Sequence, residues 1–305
     1  GTDDPKAVIA AWDGSMWDPL ATGDSLYVEV LLEYNGHLVA AGRFDSLGGS
    51  PASNVAVWNS GVWSELGGGI YGGPASSDSG STGGVYDMTI WQDSLLLVAG
   101  SFDSAGGLEA NGVAYWNGLE WGVFGTDQWG SVSAIVDFQG YAVAAVSSFV
   151  VVWDGQGWLL LGDALPHSVR TLTVYEGELF AGTLCDGPGG CILKYDIVGD
   201  SWIPVTPGLY GSVKDLMVHG GRLLATGSFS VENGGPANHI AAWDGASWEA
   251  LGSGLNQDGD AMVSDGTSLI VVGEFESAGG KVANSIARRT KPTSSCCIGI
   301  RDNVY

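Results

Sequence analysis

The stretch Ile9-Ala10-Ala11-Trp12-Asp13-Gly14-Ser15-Met16-Trp17 contains the unit that decides the fold. It combines a short apolar run, a Trp, an Asp-Gly pair and a second Trp five residues after the first. A degenerate copy has Tyr195 and Trp202 with two extra residues between them. The intact spacing returns at four further places, which are Trp58/Trp63, Trp116/Trp121, Trp153/Trp158 and Trp243/Trp248. Self-similarity of this kind is typical of a repeat architecture.

The step between successive copies indicates the kind of repeat. The first aromatic residue of each copy follows the previous one by 46, 58, 37, 42 and 48 residues. The mean step of about 46 residues lies in the range of β-propeller blades, which run from about 40 to 50 residues. Each step is long enough for two hairpins.

A second half-unit alternates with the Trp pairs. It reads Tyr-x-Gly-x-Leu-x-x-Ala-Gly-x-Phe, as in the segment from Tyr34-Asn35-Gly36 to Gly42-Arg43-Phe44. Asn-Gly here and Asp-Gly in the Trp half-unit favour type I′ turns, in which both central residues have positive φ. The apolar, β-branched runs on either side predict strands. Two hairpins per repeat therefore predict a four-stranded antiparallel sheet.

We expect an all-β protein: a single β-propeller of about six four-stranded blades over residues 1–290, closed by strands from both termini. A sheet alone cannot bury both of its faces, so we expect the first Trp of each copy to pack between neighbouring blades. Residues 8–12 and 285–289 match the same blade position, which leaves one strand over. That strand is either an extra edge strand, displaced, or paired with another molecule. The predicted packing residues are Trp12, Trp58, Trp116, Trp153 and Trp243.

The repeat resembles the kelch-like propeller repeats of large secreted proteins from environmental bacteria, over roughly residues 7–290. The tail, residues 291–305, is similar to the Cys-Cys-x-Gly-x-Arg-Gly-Asn-Val segment that leads into dockerin-type calcium repeats of bacterial surface proteins. Asp302 stands where that segment has Gly. The resemblance implies a propeller fold and a cell-surface or extracellular setting, but such propellers have many unrelated functions.

The net charge of the chain limits the classes of molecule that it is expected to bind. Lys and Arg number 11 against 34 Asp and Glu, which gives a net charge of −23. Such a surface repels nucleic-acid phosphates and anionic membranes. No uncharged apolar run approaches 18 residues, so we expect no membrane span. The expected partners are proteins, copies of this chain included, with glycans as an alternative.

The four cysteines indicate an oxidising compartment. Cys185 and Cys191 flank a turn-rich loop, which makes a disulfide across a hairpin plausible. Cys296 and Cys297 are adjacent and are expected to pair elsewhere in the chain or with another chain. The Gly-Thr-Asp-Asp-Pro start fits a mature product after removal of a signal peptide. We therefore predict an extracellular or cell-surface protein.

Catalytic motifs are scarce. The sequence has no Gly-x-Ser-x-Gly, no His-Glu-x-x-His and no phosphate loop, and its four histidines are scattered. A pair of carboxylates acting on a polysaccharide, in a hydrolase or lyase, stays open because Asp and Glu are plentiful. We predict that the protein is not an enzyme and has no cofactor.

Two weaker signals remain. Asn256, Asp258 and Asp260 place oxygen ligands at alternate positions, which makes them candidates for calcium, although Ala261 stands where an EF-hand loop requires Gly. Trp91 and Trp129 lie outside the Trp pairs and are candidate ligand-binding aromatics.

The functional prediction is a non-enzymatic extracellular structural, adhesive or interaction scaffold that self-assembles head to tail through a terminal segment. A carbohydrate- or protein-binding module is the first alternative, and a polysaccharide-acting enzyme is the second.

Overall fold

The computed structural model describes residues 7–12, 17–22, 27–72, 83–125, 130–185, 191–205, 208–231, 238–264, 268–283, 285–290 and 302–303. Every regular element within these ranges is a β-strand. The described part of the chain accordingly has no helix of the length and hydrophobicity needed to cross a membrane. The expected all-β class is confirmed.

Six four-stranded antiparallel sheets follow one another along the described chain. The chain divides into two compact units, residues 1–146 with 151–159 and residues 147–150 with 160–305. In each sheet, the long strands pair in the order in which they occur in the sequence. This is the order that two consecutive hairpins per repeat predict.

The strands of the first three sheets have the following bounds. The first sheet contains Tyr27–Tyr34, His37–Arg43, Val55–Asn59 and Val62–Glu65. The second contains Gly84–Trp91, Leu95–Ser101, Val113–Trp116 and Trp121–Val123. The third contains Ala134–Phe138, Tyr141–Val146, Phe149–Trp153 and Trp158–Leu160.

The remaining three sheets have the same organisation. The fourth contains Val169–Tyr175, Glu178–Thr183, Ile192–Asp196 and Ser201–Pro204. The fifth contains Leu209–His219, Arg222–Val231, Asn238–Trp243 and Trp248–Ala250. The sixth, called the last sheet below, contains Gly259–Ser264, Ser268–Gly273, Ile286–Thr290 and Asp302–Asn303.

Smaller elements complete the description. Ala7–Trp12 and Trp17–Thr22 form a separate two-stranded sheet, called the N-terminal hairpin below. Two-residue strands lie in the connections between sheet strands: Ser46–Leu47, Ser50–Pro51, Ile70–Tyr71, Ser104–Ala105, Leu108–Glu109, Ser277–Ala278 and Lys281–Val282.

The second strand of each of the first five sheets contains a run of buried residues that covers both faces. In Leu95–Ser101, four consecutive residues from Leu96 to Ala99 have no exposed surface, so both faces of the sheet are covered. Within the first unit, Gly84–Trp91 packs on Tyr27–Tyr34, and within the second, Val169–Tyr175 packs on Leu209–His219. Burial of both faces explains why these strands are continuous apolar runs instead of alternating patterns.

The predicted closure by strands from both termini is wrong for the sheet pairings of the described chain. Ile286–Thr290 pairs with Ser268–Gly273, and Asp302–Asn303 pairs with Ile286–Thr290. Within the described residues, Ala7–Trp12 pairs with Trp17–Thr22 and with no strand of the six sheets. The physical reason is competition for one edge, since a strand from residues 286–290 already takes the backbone donors and acceptors that residues 8–12 would need. The two described residues of the predicted tail, Asp302 and Asn303, form a strand of the last sheet.

The predicted disulfide between Cys185 and Cys191 is present. The two Cα atoms are 5.5 Å apart, and the bond joins the end of Glu178–Thr183 to the start of Ile192–Asp196. Both cysteines are buried in the core of the second unit. The bond therefore closes the connection between the second and third strands of the fourth sheet.

Replacing both Cys185 and Cys191 with Ser should lower the free energy of unfolding by about 2 kcal/mol, because the bond closes a short loop in the unfolded chain. Urea unfolding of the oxidised proteins measures this loss. Reductant should weaken the wild type and leave the double variant unchanged. A matched Cys296→Ser/Cys297→Ser variant should keep the wild-type stability, and an equal loss in both variants would contradict the assignment.

Candidate functional site

Each Trp hairpin places two aromatic rings side by side. The backbone register sets Trp58 opposite Trp63, and the centroids of the two rings are 5.2 Å apart. The degenerate copy has the same arrangement, with 5.4 Å between the rings of Tyr195 and Trp202. The other described pairs are Trp116–Trp121 at 5.4 Å, Trp153–Trp158 at 5.6 Å and Trp243–Trp248 at 5.3 Å. Tilted pairs at this distance add to the stabilisation from burial.

The first Trp of each pair lies where a packing role requires it. Trp116 and Trp243 are buried members of core clusters, and Trp58 and Trp153 are half-buried against such clusters. The side chain of Trp12 lies outside the described residues. Within each unit, these rings therefore contribute to the apolar cores.

The indole N–H of the second Trp of a pair donates a hydrogen bond to a residue that precedes its own sheet in the sequence. Trp63 Nε1 donates a hydrogen bond to the Leu20 carbonyl at 2.9 Å. In the same way, Trp121 Nε1 donates to Leu66 O at 3.3 Å, and Trp202 Nε1 donates to Leu161 O at 2.8 Å. Trp248 is buried too, although its Nε1 has no acceptor among the described residues. The second indole thus fills a slot and is oriented there by a backbone carbonyl in three of the sheets.

Glycine forms one wall of this slot. Gly106 has a φ of +56°, and a Cβ added there would lie 2.5 Å from Trp121 Cδ1. Gly48 is the matching residue of the first sheet, where an added Cβ would lie 2.7 Å from Trp63 Cδ1. Gly106 N also donates to Gly69 O at 2.9 Å, which ties the connection to the loop before the sheet. The Gly-Gly pairs of the repeat therefore have two roles. They adopt the positive φ of the turn, and they leave room for the indole ring.

The last sheet has a counterpart of this slot. Gly279 N donates to Gly254 O at 2.9 Å, which reproduces the Gly106–Gly69 bond of the second sheet. Among the described residues, the lining of the partly open cavity at this point includes no aromatic side chain. We call this cavity the open slot; its lining residues are Ile240, Leu251, Gly254, Leu255, Leu269, Val271, Ala278, Gly279, Ala287, Arg288 and Arg289.

The Asp residues of the Trp hairpins have a local structural role. Asp154 Oδ1 accepts hydrogen bonds from the backbone N–H groups of Gln156 and Gly157, both at 2.8 Å. The bonds from Gly157 and then Gln156 hold the pKa of Asp154 below its usual range. Asp244 makes the same bonds to Ala246 and Ser247, with the same effect on its pKa. These carboxylates are therefore part of the turns.

The predicted type I′ turn is confirmed at Asn35-Gly36 and is wrong for Asp154-Gly155. Asn35 and Gly36 have φ values of +51° and +77°, as that turn requires. In the Trp153/Trp158 hairpin, Gly155 has positive φ and Asp154 does not, whereas Ser60 and Gly61 of the Trp58/Trp63 hairpin both have positive φ. The reason is loop length: Asp154 N donates to Gly157 O, so a four-residue loop replaces the two-residue turn.

The calcium candidates have protein partners in the structure. Asn256 Oδ1 accepts hydrogen bonds from the backbone N–H groups of Glu276 and Ser277 at 3.0 and 2.7 Å. Lys214 Nζ lies 3.1 Å from Asp258 Oδ2 and 2.7 Å from Asp260 Oδ1. The described residues include no group of three or more His, Cys, Asp or Glu side chains arranged to hold a metal ion. The three candidates thus contribute to a loop and an ion-pair cluster.

That ion-pair cluster, of Lys214, Asp258, Asp260 and His239, is the densest group of charges in the described second unit. His239 Nδ1 lies 3.1 Å from Asp258 Oδ1. Burial alone would raise the pKa of Asp258, but hydrogen bonds from Lys214 and Ser228 and the charge of Lys214 outweigh it and lower that pKa. Burial would likewise lower the pKa of Lys214, and its bonds to Asp260 and Asp258 raise it instead. Lys214 and Asp258 are therefore both held in their charged forms at neutral pH.

The candidate binding aromatics give little support to a ligand platform. Trp91 is half-buried, donates from Nε1 to Gly140 O at 2.8 Å and packs on Phe124 with 5.5 Å between the ring centroids. Trp129, Cys296 and Cys297 lie outside the described residues. The indole N–H of Trp91 is already used in joining the second sheet to the third.

Two partly buried carboxylates that sequence reasoning missed join neighbouring sheets. Asp87 Oδ2 accepts from Ile135 N at 2.8 Å, and Asp215 Oδ2 accepts from Met262 N at 2.7 Å. Both follow a register shift in the first strand of their sheet. Burial raises the pKa of Asp215 to about 6, against the opposing effect of its backbone hydrogen bonds. The signal in the sequence was an Asp within an apolar strand of two repeats, after Val85-Tyr86 and after Val213-Lys214.

No protein-family model and no curated protein matches the chain. Its fold is similar to the computationally designed Ika8 protein, with a TM-score of 0.53, 14% identity and coverage of 89% of this chain and 74% of that one. A chain of the Mitotic Checkpoint Complex gives a TM-score of 0.55 at 14% identity, covering 88% of this chain and 77% of that one.

A third similar structure is the extracellular domain of the putative hybrid two component system BT4673 from B. thetaiotaomicron. The TM-score is 0.56 at 9% identity, over 90% of this chain and 33% of that one. This chain thus spans about a third of the length of that domain. At such identities, all three likenesses concern the fold alone.

Gly106→Ala should be more destabilising than Gly107→Ala. Both glycines have positive φ, which costs an Ala about 1 kcal/mol, but only Gly106 faces a ring, and an added Cβ at Gly107 meets nothing within 4 Å. Moving the Trp121 ring should add about 1–3 kcal/mol to the cost of Gly106→Ala. Urea unfolding of the two variants measures the difference. Equal losses would show that the ring contact contributes nothing.

Asp215→Asn should change how stability depends on pH. The folded-state pKa of about 6 lies above the ordinary 3.8, so the contribution of Asp215 to stability is present below about pH 4 and is lost as pH rises through 6. The stability of the wild type minus that of Asp215→Asn should therefore fall between pH 4 and 7, by at most about 3 kcal/mol. Urea unfolding at several pH values tests this, and a difference independent of pH would contradict it.

Proposed function

We propose that this protein is a non-enzymatic extracellular interaction scaffold, a β-propeller whose six sheets are its blades, and that its copies associate head to tail through a terminal segment. One observation carries the proposal. The described chain has one Trp hairpin more than its six sheets use, and that N-terminal hairpin forms a sheet of its own.

The propeller proposal is supported by how neighbouring sheets are joined. Within each unit, first strands of consecutive sheets pack on one another. The second Trp of a sheet hydrogen bonds to a carbonyl that precedes that sheet, as Trp121 does with Leu66. Asp87 adds a bond from the second sheet to the third. Sheets that repeat along the chain and pack face to face in this way are typical of propeller blades.

A non-enzymatic role is supported by what the polar side chains of the repeat do. Asp154 and Asp244 satisfy backbone N–H groups in turns. Asp258 and Asp260 are paired with Lys214. Each of these carboxylates has a structural partner that accounts for its position. An extracellular setting is supported by the disulfide between Cys185 and Cys191, since such bonds persist mainly in oxidising compartments.

Association is supported by the edge of the N-terminal hairpin. Ala7–Trp12 pairs with Trp17–Thr22 on one side, and no strand of the described chain pairs with its other side. In the first sheet, the strand that corresponds to it in the repeat, Val55–Asn59, is paired on both sides. An unpaired strand edge is a template for pairing with another chain.

The native mass of the full chain by light scattering tests this proposal. We expect a mass above the 31.4 kDa monomer that increases with protein concentration, with or without reductant. Added salt should strengthen association, because it screens the repulsion between copies of charge −23; the Debye length falls to about 8 Å at 0.15 M.

The Cys296→Ser/Cys297→Ser variant is the control for a covalent link. Association that survives in this variant is non-covalent, and association lost in it assigns the link to the tail cysteines. A monomer at all concentrations and ionic strengths would overturn self-association.

A further inference from the structure

We propose that Asn117 is a site of spontaneous modification, which loses its side-chain amide and leaves an Asp that the same loop holds. The site belongs to the loop Asn117-Gly118-Leu119-Glu120, called the Asn117 loop below. This loop connects Val113–Trp116 to Trp121–Val123 in the second sheet. The modification lies within one unit of the chain and is independent of the proposed self-association.

The Asn117 loop matches two loops of the repeat that contain Asp. Asn117 Oδ1 accepts hydrogen bonds from Leu119 N at 2.8 Å and from Glu120 N at 2.9 Å. Asp154 Oδ1 and Asp244 Oδ1 accept the corresponding pairs of bonds at 2.7 to 2.8 Å. In all three loops, the N–H of the first residue donates to the carbonyl of the fourth at 3.2 Å. Asn and Asp therefore occupy the same position of the same loop.

This loop position favours a carboxylate. Backbone hydrogen bonds, above all the one from Gly157, hold the pKa of Asp154 below its usual range, and bonds of the same kind lower the pKa of Asp244. Hydrogen bonds to an ionised acceptor are shorter and stronger than those to a neutral one. An Asp at position 117 would therefore keep, and strengthen, both bonds that Asn117 Oδ1 accepts.

Gly118 supplies the nucleophile for loss of the amide. Its backbone nitrogen gives up a proton to base and attacks Asn117 Cγ, so that an N–Cγ bond forms, the Cγ–Nδ2 bond breaks and ammonia leaves. The product is a cyclic succinimide. Water then opens the ring at Cγ to give Asp, or at the main-chain carbonyl to give isoaspartate. The net reaction exchanges an amide for a carboxylic acid and consumes only water.

The geometry of the Asn117 loop assists this attack. Asn117 and Gly118 are both exposed, so water and base reach them. Among the described residues, no acceptor takes the Gly118 N–H. The bond from Leu119 N to Asn117 Oδ1 folds the side chain toward the Gly118 peptide that lies between them. Negative charge develops on Oδ1 during the attack, and the N–H groups of Leu119 and Glu120 already donate to that atom.

The chain contains three other Asn-Gly pairs, which share the intrinsic reactivity but not this loop. Asn233-Gly234 lies outside the described residues. At Asn111-Gly112, Gly112 is buried and its N–H donates to Phe102 O at 2.8 Å, so the nucleophile is already used. Asn35-Gly36 is exposed, but no N–H of the described chain donates to the Asn35 side chain. We therefore expect Asn117 to react first.

Peptide mass spectrometry of the full chain, incubated in mildly alkaline buffer, measures the order of reaction. The mass change from amide to acid should appear first at Asn117. Asn111 should react at least about tenfold more slowly, which corresponds to a local opening that costs about 1.4 kcal/mol. Asn35 should also lag behind Asn117. Unchanged Asn117, or conversion of Asn35 or Asn111 ahead of it, would overturn the proposal.

The same chain unfolded in urea is the control for sequence effects. All four Asn-Gly pairs should react there at similar rates, because the loop and the bond to Gly112 are absent. If Asn117 still reacted well ahead of the other pairs in urea, its sequence neighbours and not the loop would be the cause.

Two matched variants test whether the loop holds the product. Asn117→Asp should unfold at the same urea concentration as the wild type or at a higher one. Asn111→Asp should unfold at a lower concentration, because Nδ2 of Asn111 is buried and a charge placed there loses its hydration. A loss of stability in Asn117→Asp would overturn the claim that the loop accepts Asp.

The ratio of the two products completes the test. Isoaspartate lengthens the main chain by one carbon, which disturbs the register that sets Trp116 opposite Trp121. The share of Asp among the products at position 117 should therefore be higher in the folded chain than in urea. Equal shares would show that the loop does not select the product, against the proposal.

Discussion

The structure depends on the insertion of one indole ring between a sheet and the loop that precedes it. A four-stranded sheet of Val, Leu and Ala has two apolar faces and cannot stand alone in water. The second Trp of the repeat covers part of one face of the sheet. Its N–H donates a hydrogen bond to a backbone carbonyl, as Trp121 does to Leu66 O. One side chain therefore buries apolar surface and also provides a hydrogen-bond donor for a backbone carbonyl.

Several other features follow from this contact. Gly48 and Gly106 lack side chains because the ring lies against their Cα atoms. Asp154 and Asp244 hold the four-residue loops that keep paired rings opposite one another. The polar residues of the repeat thus serve its geometry, which agrees with the proposal of a scaffold.

The last sheet shows what happens where the repeat ends. Its Gly-Gly connection and preceding loop keep the hydrogen bond from Gly279 to Gly254, yet its third and fourth strands carry no Trp pair. Within the described residues, no aromatic ring lines the open slot, and strand Ala7–Trp12 pairs with Trp17–Thr22. The repeat therefore ends in a sheet without a Trp pair, while one Trp hairpin of the described chain lies outside the six sheets.

Sequence alone determined the local and periodic features: the strands, the four-stranded units and the disulfide between Cys185 and Cys191, because each depends on residues close together in the chain. It also indicated that one strand was left over. Only the tertiary structure decided which strand pairs in the last sheet, since residues 8–12 and 286–290 carry the same local pattern and their competition depends on long-range pairing. The burial of Asp215 and the open slot were decided there as well, because both depend on the neighbouring sheet, which no local pattern describes.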